Sequence, residues 1–259
     1  MLDGEYGRAT QKAMEILVAL GTIYGAEKMV PGTSVQISGV SYDNLGEAGL
    51  HWLSEMADGG GQARVLTTLN PAGMDIENWQ ALGISAEFAA NQMRVIEAFA
   101  RMNVITTCSC TPYLFGNVPH FGQHIAWAES SAVCYANSVI GARTNREGGP
   151  SALAAALTGV TPEYGFHLEE NRRPGITLEV TAALTENNDF GALGIAIGKH
   201  LESLKNKPIV YITGVERASV EQLKSFCASL APYGGAGLFH MAGITPEAER
   251  YAPPADNIS

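Results

Sequence analysis

The chain has 259 residues, of which 46% are hydrophobic and 16% are charged, and its formal net charge is −10. This length allows one large domain or two smaller lobes with a buried core, and the acidic balance without a Lys/Arg cluster argues against a nucleic-acid partner. No apolar run approaches the roughly 20 residues that span a membrane, and the N-terminal sequence lacks the apolar region of a signal peptide. Because four cysteines do not suggest a disulfide scaffold, we expect a reducing, cytoplasmic location.

The N-terminal half of the chain alternates between helical and strand-like patterns. Apolar residues at helical spacing predict a helix over residues 5–28. The segment Asn70-Pro71-Ala72-Gly73 has the composition of a turn. The remaining patterns of this half predict strands at 34–38, 64–68 and 104–107, and helices at 45–58 and 86–102.

The second half begins with residues 126–140, which are small or apolar around the whole circumference and predict a buried helix. Pro150 occupies a favoured first-turn position and predicts a second small-residue helix. Residues 168–180 are charged and irregular, so we expect a linker and a division between lobes there. The rest of the chain predicts helices near 190–204 and 219–231 and strands at 208–213 and 236–241. This alternation predicts an α/β fold with parallel or mixed sheets flanked by helices.

Two cysteines separated by one residue stand at the end of the predicted strand 104–107. Sites in α/β folds gather at strand ends, and strain disfavours a disulfide between Cys108 and Cys110. One interpretation is a pair of small buried thiols. Another is a zinc site that adds His120 and His124, whose spacing suits tetrahedral coordination and would make the chain a non-catalytic zinc-binding module. The residues alone leave both interpretations open.

Glu129 is a carboxylate within the predicted buried helix, next to Ala126, Trp127 and Ala128. Burial of a carboxylate is costly unless a partner compensates for it. Glu129 therefore either borders or caps the helix, or it contacts a substrate with a pKa tuned by its surroundings.

Two further segments have the composition of anion-binding loops. Arg143 and Arg146 lie in a Gly-containing loop before a predicted helix, where guanidinium and backbone N–H groups suit a carboxylate or phosphate. The alternative is a solvated polar loop. Gly39-Val40-Ser41 follows a predicted strand and allows backbone N–H groups to approach an anion. Each signal is weak when taken singly.

Read together, these segments resemble the aconitase X family. The resemblance extends over nearly the whole chain, through MLDGEYG, QISGVSY, TTLNPAGMD, CTPYL, GNVP, HIAWAESSAV, YANSVIGARTNREGGPSALAAALTG and TPEYG. The run from His124 to Gly159 is the longest and most distinctive part. The resemblance implies an aconitase-like, multi-lobed architecture around an iron–sulfur cluster, with a separate small swivel domain or subunit. It also implies dehydration of an anionic hydroxy acid.

Two activities are known in this family. Phosphomevalonate dehydratase converts (R)-5-phosphomevalonate to trans-anhydromevalonate 5-phosphate for isoprenoid synthesis and uses a 4Fe–4S cluster. The alternative is cis-3-hydroxy-L-proline dehydratase, some members of which carry a different cluster. The Cys-Thr-Pro-Tyr stretch and the uninterrupted TNREGGPSALAAALTG and TPEYG segments are more similar to the phosphomevalonate enzymes, so the resemblance implies the first activity.

The family's functional residues carry over where its motifs recur. Cys110, immediately before Thr-Pro-Tyr, matches one cluster cysteine, whereas Cys108 is the weaker candidate. We add Arg143 and Arg146 as contacts for the anionic ends of the substrate. The substrate contacts that the resemblance itself implies are Gly39, Val40, Ser41, Asn70, Pro71, Glu129 and Ser130.

The sequence also departs from the family pattern. The family supplies two more cluster cysteines and a substrate-binding lysine from a C-terminal segment, whereas this sequence ends at Ser259. We therefore expect residues 1–259 to be a catalytic large-subunit region that is incomplete at its C-terminus, with the remaining cluster ligands beyond Ser259. Three cysteines would leave one iron open as a Lewis acid for the substrate hydroxyl. The resemblance places the catalytic base on a serine of the small subunit, outside this chain.

Overall fold

The structure is a computed structural model that describes residues 1–254 and the backbone of residues 257 and 258. Among these residues, no helix is both long enough and apolar enough to cross a membrane. A π-helical turn, Ala136–Ile140, continues the fourth α-helix. The helices and strands in chain order are α1 (Arg8–Tyr24), β1 (Met29–Pro31), β2 (Ser34–Ile37), α2 (Tyr42–Asp58), β3 (Leu66–Leu69), α3 (Ala86–Arg101), β4 (Ala126–Trp127), α4 (Ser130–Tyr135), α5 (Gly149–Thr158), β5 (Val160–Pro162), β6 (Ile176–Glu179), α6 (Asn187–Ser203), β7 (Val210–Thr213), α7 (Val220–Gly234), β8 (Phe239–Met241) and β9 (Asn257–Ile258).

The chain divides into two compact units, each with a parallel sheet of its own. The units alternate along the sequence, so that two short segments of the second unit interrupt the first. The first unit consists of Met1–Val118, His124–Glu129 and Glu147–Tyr164, and the second of Pro119–Gln123, Ser130–Arg146 and Gly165–Ser259.

The main sheet of the first unit has the strand order β3-β2-β4, and both pairings are parallel. Ile105 extends it through a parallel bridge to Thr68 at the outer edge of β3. All four residues of the central strand β2 are buried, as is typical of parallel sheets that helices cover. Apolar residues of α1, α2, α3 and α5 form one core with these strands. Separately, β1 and β5 form a short antiparallel pair.

Serine caps start two helices of the first unit. The Ser41 side chain accepts a hydrogen bond from the backbone N–H of Asp43 (3.3 Å) at the start of α2. The Ser85 side chain likewise accepts one from Phe88 (3.1 Å) at the start of α3. Such caps satisfy N–H groups that have no partner within the helix. Within α2, Gly46 has a φ of 58° and interrupts the helical geometry, a conformation that glycine adopts without a steric penalty.

The second unit contains a four-stranded parallel sheet with the order β8-β7-β6-β9. Helices α6 and α7 pack closely because Gly194 and Gly198 present no side chains to α7. Near the sheet, the fully buried Arg172 bonds both carboxylate oxygens of Glu247 through Nε, at 2.9 and 3.1 Å. Its terminal nitrogens donate to Asn137 and to nearby backbone carbonyls. These contacts compensate for the burial of the charge.

The predicted α/β fold with parallel sheets flanked by helices is therefore confirmed. The prediction of one buried helix over 126–140 is wrong: it begins with strand β4, continues as α4 from Ser130 and ends in the π-helical turn. The first residues join the sheet because Ala126 and Trp127 pair with β2. A short apolar run fits a buried strand as well as a buried helix, so composition does not separate the two.

Two other segments also differ from the prediction. Residues 104–107 contribute only the single bridge at Ile105 and do not form a strand. Residues 168–180 are not an irregular linker, because they contain a short 3-10 helix, the fully buried Arg172 and strand β6. The charge of this segment was misleading, since Arg172 is compensated inside the core by Glu247. The lobe division expected near 168–180 stays a prediction.

Candidate active site

Four parallel segments of the first unit end at one edge of its sheet, and each leads into residues that the sequence singled out. Strand β2 leads to Gly39-Val40-Ser41, and β3 leads to Asn70-Pro71. The segment that bridges at Ile105 leads to Cys110, and β4 leads to Glu129. Because parallel strands share the direction of their carboxyl ends, these residues gather at the place where α/β folds carry their sites.

The loop Gly39–Ser41 begins with a glycine in a left-handed conformation. Gly39 has a φ of 78°, and this left-handed conformation favours glycine. Val40 is buried, and its carbonyl accepts a hydrogen bond from Gln92 at 3.0 Å. In the part of the chain that the structure describes, the three backbone N–H groups of this loop donate to no protein acceptor. They therefore remain available for an anion, as in other loops of consecutive N–H groups.

Asn70 and Pro71 begin the second loop of the edge. The backbone N–H of Asn70 donates to the carbonyl of Ile37 (2.8 Å), which continues the β2–β3 pairing by one residue. Farther along, Gly73 approaches Ser41 so closely that a Cβ atom at position 73 would overlap the Ser41 hydroxyl. The glycine therefore lets the second loop lie against the first.

The side chain of Gln92, on α3, makes hydrogen bonds to both loops. This side chain is fully buried. Its amide oxygen accepts hydrogen bonds from the backbone N–H groups of Tyr42 (3.0 Å) and Gly73 (3.1 Å), while its amide nitrogen donates to Val40. One side chain thus satisfies three backbone groups of two loops, and a buried polar group satisfied in this way stabilises their arrangement.

Gln36 of β2 makes a similar connection at the other side of the edge. It is fully buried, its amide nitrogen donates to Oδ1 of Asn70 (2.9 Å), and its amide oxygen accepts from the backbone N–H of Glu129 (2.9 Å). Glu129 is half-buried and lies between β4 and α4, outside any helix. Glu129 therefore lies outside the predicted helix 126–140 but directly borders α4 at Ser130, as one of its two interpretations expected.

The two cysteines of the Cys108-Ser109-Cys110 segment have different surroundings. Cys108 is half-buried against the core of the first unit, and burial raises the pKa of its thiol despite a hydrogen bond from the backbone of Ala72. The side chain of Cys110 is exposed. A metal cofactor must reach the sulfur atom, so the greater exposure of Cys110 favours it over Cys108 as a ligand.

The loop that follows Cys110 is tied to the sheet by Asn117. This side chain is buried, and its amide nitrogen donates to the carbonyl of Val35 (3.2 Å) and to the hydroxyl of Thr68 (3.0 Å). Its amide oxygen accepts a hydrogen bond from Ser34. The loop that carries the exposed thiol is therefore held in place at both of its ends, since Ser109 also donates to the carbonyl of Leu69.

The ligands that an iron–sulfur cluster requires are present only in part. Among the described residues, no group of three or more His, Cys, Asp or Glu side chains is arranged to hold a metal ion. Cys134 and Cys227 are fully buried, so Cys110 is the one exposed thiol of the described chain. Cys110 therefore fits as a single cluster ligand. The predicted zinc set of Cys108, Cys110, His120 and His124 does not form in this structure.

Ser130, Arg143 and Arg146 belong to the second unit. Ser130 follows Glu129 directly and starts α4. Arg143 donates to the carbonyl of His167 and pairs with Glu169, which holds the pKa of that carboxyl below its usual range. The Arg146 side chain is exposed and donates to the carbonyl of Ala231 at 3.4 Å. Of the two guanidinium groups, that of Arg143 already has a carboxylate partner.

Sequence reasoning missed Gln36, Gln92 and Asn117, which hold the predicted loops in place. All three are buried amides. The available signal was weak: Gln36 interrupts the apolar run Val-Gln-Ile of a predicted strand, where a polar residue normally marks a solvent-facing position. Gln92 lies in an amphipathic helix, and Asn117 lies in a loop. In none of these cases does the sequence identify the hydrogen-bond partner.

Comparisons with known proteins agree with this architecture. The family model described as Aconitase X first domain matches residues 1–170, and the Aconitase X second domain matches residues 174–259. A crystal structure of Thermococcus kodakaraensis aconitase X in its holo-form superposes with a TM-score of 0.88 at 45% identity, over 99% of this chain and 63% of that one.

Curated relatives also match nearly the whole of this chain. The phosphomevalonate dehydratase large subunit of Methanothermobacter thermautotrophicus is 52% identical over 98% of this chain. The cis-3-hydroxy-L-proline dehydratase of Hypocrea jecorina is 35% identical over 95% of this chain and 41% of its own length. The chain spans 62% of the length of the Methanothermobacter relative. From the two matching domain models and these relatives, we conclude that the chain belongs to the aconitase X family.

Proposed function

We propose that this chain acts within the large subunit of an aconitase-type hydro-lyase that dehydrates (R)-5-phosphomevalonate to trans-anhydromevalonate 5-phosphate, a step toward isoprenoid precursors. The observation that carries the proposal is the gathering of Gly39–Ser41, Asn70, Cys110 and Glu129 at one carboxyl edge of a parallel sheet. Such an edge offers N–H donors for anionic groups beside an exposed thiol, as binding of a phosphorylated hydroxy acid to a metal cofactor requires.

The identities of the relatives support the choice of substrate. Five relatives named phosphomevalonate dehydratase large subunit are 37 to 52% identical to this chain, and four of them are at least 47% identical. Two relatives named cis-3-hydroxy-L-proline dehydratase are 33 and 35% identical. We therefore assign phosphomevalonate as the substrate and keep hydroxyproline as the alternative outcome of the test below.

In this proposal, each part of the edge has a separate task. The free N–H groups of Gly39–Ser41 and the side chain of Asn70 bind anionic groups of the substrate, and Pro71 shapes the loop beside them. Glu129 and Ser130 orient the carbon skeleton, and Arg143 and Arg146 attract the anionic substrate. Fixing the substrate in a reactive orientation contributes several kcal/mol to lowering a barrier.

Cys110 provides one thiolate to a 4Fe–4S cluster, and the other ligands come from outside the described residues. When bound, such a cluster supplies an iron with an open position that acts as a Lewis acid on the substrate hydroxyl. The proposal also includes a small swivel subunit as the partner in a heterodimer, which carries the catalytic base, and a cytoplasmic location.

The test is a turnover assay of the full-length protein, purified anaerobically together with its small subunit. Loss of water from (R)-5-phosphomevalonate is followed by mass spectrometry, with cis-3-hydroxy-L-proline in a parallel reaction. We expect product from phosphomevalonate and none from hydroxyproline. Turnover of hydroxyproline alone would transfer the assignment to the alternative, and inactivity on both substrates would contradict the proposed hydro-lyase.

A further inference from the structure

The side chain of Gln36 contacts two of the residues assigned to the substrate. Gln36 lies on the central strand β2 and is fully buried. One end of its amide meets Oδ1 of Asn70, and the other end meets the backbone N–H of Glu129, each at 2.9 Å. Its backbone carbonyl also accepts a hydrogen bond from Ala128 at 3.0 Å. Gln36 therefore connects the loops after β3 and β4.

The orientation of this amide follows from its partners. The oxygen and nitrogen of an amide are difficult to distinguish by position, and hydrogen bonding must assign them. A backbone N–H group can only donate, so the oxygen of Gln36 must face Glu129 and the NH₂ group must face Asn70. The reverse orientation would place two buried donors against each other, which is costly.

The same reasoning determines the orientation of the side-chain amide of Asn70. Because the NH₂ group of Gln36 can only donate, Asn70 must turn its oxygen toward Gln36, and its own NH₂ group then faces the other way. Within the described residues, this NH₂ group donates to no acceptor, and Asn70 is only half-buried. The backbone of Asn70 is held by its bond to Ile37. Asn70 therefore presents a donor, and not an acceptor, at the carboxyl edge.

We propose that Gln36 is a positioning residue that sets the hydrogen-bond polarity of Asn70, so that Asn70 donates to an anionic oxygen of the substrate. The inference rests on the proposed function, since it deepens the account of the same site. It predicts a substrate group that accepts hydrogen bonds at this position, a carboxylate or phosphate oxygen, and it disfavours a hydroxyl that must donate there.

The test is Gln36→Glu in the full-length protein assembled with its small subunit. This substitution keeps the shape and keeps an oxygen facing the N–H of Glu129. Toward Asn70, an ionised carboxylate only accepts, whereas the protonated carboxyl that burial favours still donates, so KM is measured up to the alkaline pH at which the new carboxyl ionises. Asn70 is then expected to turn its NH₂ group inward and its oxygen toward the substrate. We expect KM for phosphomevalonate to rise about ten- to a hundredfold, with a smaller change in kcat, since a hydrogen bond to a charged group is lost.

Three comparisons separate polarity from a general structural effect. Gln62→Glu introduces the same charge at an exposed glutamine, and KM should stay at the wild-type value. In an Asn70→Ala background, Gln36→Glu has no amide to turn, so it should add no further increase in KM. Asn70→Asp removes the donor without altering the buried glutamine, and it should raise KM as Gln36→Glu does. It therefore tests the inference even if Gln36→Glu fails to fold.

The results distinguish the inference from the proposed function. If the wild-type assembly does not dehydrate phosphomevalonate, the proposed function fails. If the wild type is active but Asn70→Asp retains the wild-type KM, the inference about polarity is overturned. An equal increase in KM from Gln36→Glu with and without Asn70 would overturn it as well, because the effect would then not pass through Asn70.

Discussion

Glu147 is a buried carboxyl group in the loop before α5. Its side chain is 6% exposed, and its Oε2 accepts a hydrogen bond from Ser151 at 2.5 Å. Its Oε1 has no hydrogen-bond partner among the described residues. Burial therefore raises the pKa of Glu147, and the hydrogen bond from Ser151 opposes this increase only in part. The folded protein consequently favours the neutral form of this group.

This raised pKa predicts a pH-dependent effect of Glu147→Gln. Because the folded pKa exceeds the unfolded one, the contribution of Glu147 to stability is fully present below the unfolded pKa and is lost as pH rises through the folded value. Glutamine mimics the neutral carboxyl at every pH. The variant should match the wild type below about pH 4 and unfold a few degrees higher at neutral or alkaline pH.

Thermal unfolding of the full-length protein at several pH values measures this difference. Glu163→Gln is a suitable control, because Glu163 is a partly exposed residue that pairs with Lys28. The control should not gain stability with rising pH. A gain from Glu147→Gln that is the same at acidic and alkaline pH would contradict the account of a raised pKa.

At the residue scale, motif resemblance named Gly39–Ser41, Asn70, Cys110 and Glu129, and the parallel strands place them at one edge. Their roles in binding stay predictions. Gln36 and Gln92 were not predictable, because a hydrogen bond between residues 19 or more positions apart leaves no local pattern. A buried amide reveals its function only through its partners.

Among the helices, α6 and α7 show how glycine determines close packing. A Cβ atom at Gly198 would lie 2.7 Å from Cβ of Tyr233 and 2.9 Å from the backbone nitrogen of Gly234. A Cβ atom at Gly191 would instead meet the hydroxyl of Ser225 at 3.1 Å. The first contact involves a rigid backbone, whereas the second involves a hydroxyl that can rotate away.

Gly198→Ala and Gly191→Ala should therefore have opposite effects on stability. We expect Gly198→Ala to lower the free energy of unfolding by about 1–3 kcal/mol through overpacking. Gly191→Ala should be neutral or raise it by up to about 1 kcal/mol, because alanine favours a helix more than glycine does. Urea denaturation of both variants in the full-length protein measures the two effects. A Gly198→Ala variant as stable as the wild type would show that the interface between α6 and α7 is not close-packed at Gly198.

The elements themselves were predictable where the pattern was unambiguous. Helix α3 was expected at 86–102 and is found at Ala86–Arg101, because its amphipathic pattern and the Ser85 cap agree. The run 126–140 was not predictable, since a fully buried strand and a fully buried helix have the same composition. Pairing of Ala126 with Val35 of β2 decides in favour of a strand, and such pairing depends on residues distant in sequence.

The two units of the whole molecule are interleaved in sequence. Segments 119–123 and 130–146 belong to the second unit although the first unit surrounds them in the chain. Composition predicts a boundary where a polar, irregular stretch occurs, and it therefore pointed to 168–180. Short segments that belong to the other unit cannot be recognised by composition, because buried loops and helices have the same composition in either unit.

The fold class, in contrast, was predictable at the scale of the molecule. Alternation of helices and strands predicted parallel sheets, and both main sheets are parallel. The resemblance of the motifs to the aconitase X family agrees with the two matching domain models. The fold class can be predicted correctly even when single elements are not, because the order of strands and helices limits the topologies available to the chain.

The proposed function places the cofactor and the substrate at the carboxyl edge of the sheet in the first unit. The most direct test is the iron content and phosphomevalonate turnover of Cys110→Ala, compared with Cys108→Ala, in the full-length protein purified anaerobically with its small subunit. Cys110 is exposed and Cys108 is half-buried two residues away. We expect Cys110→Ala to lose both iron and activity and Cys108→Ala to retain most of both. A Cys110→Ala protein with its full iron content and undiminished turnover would contradict the account.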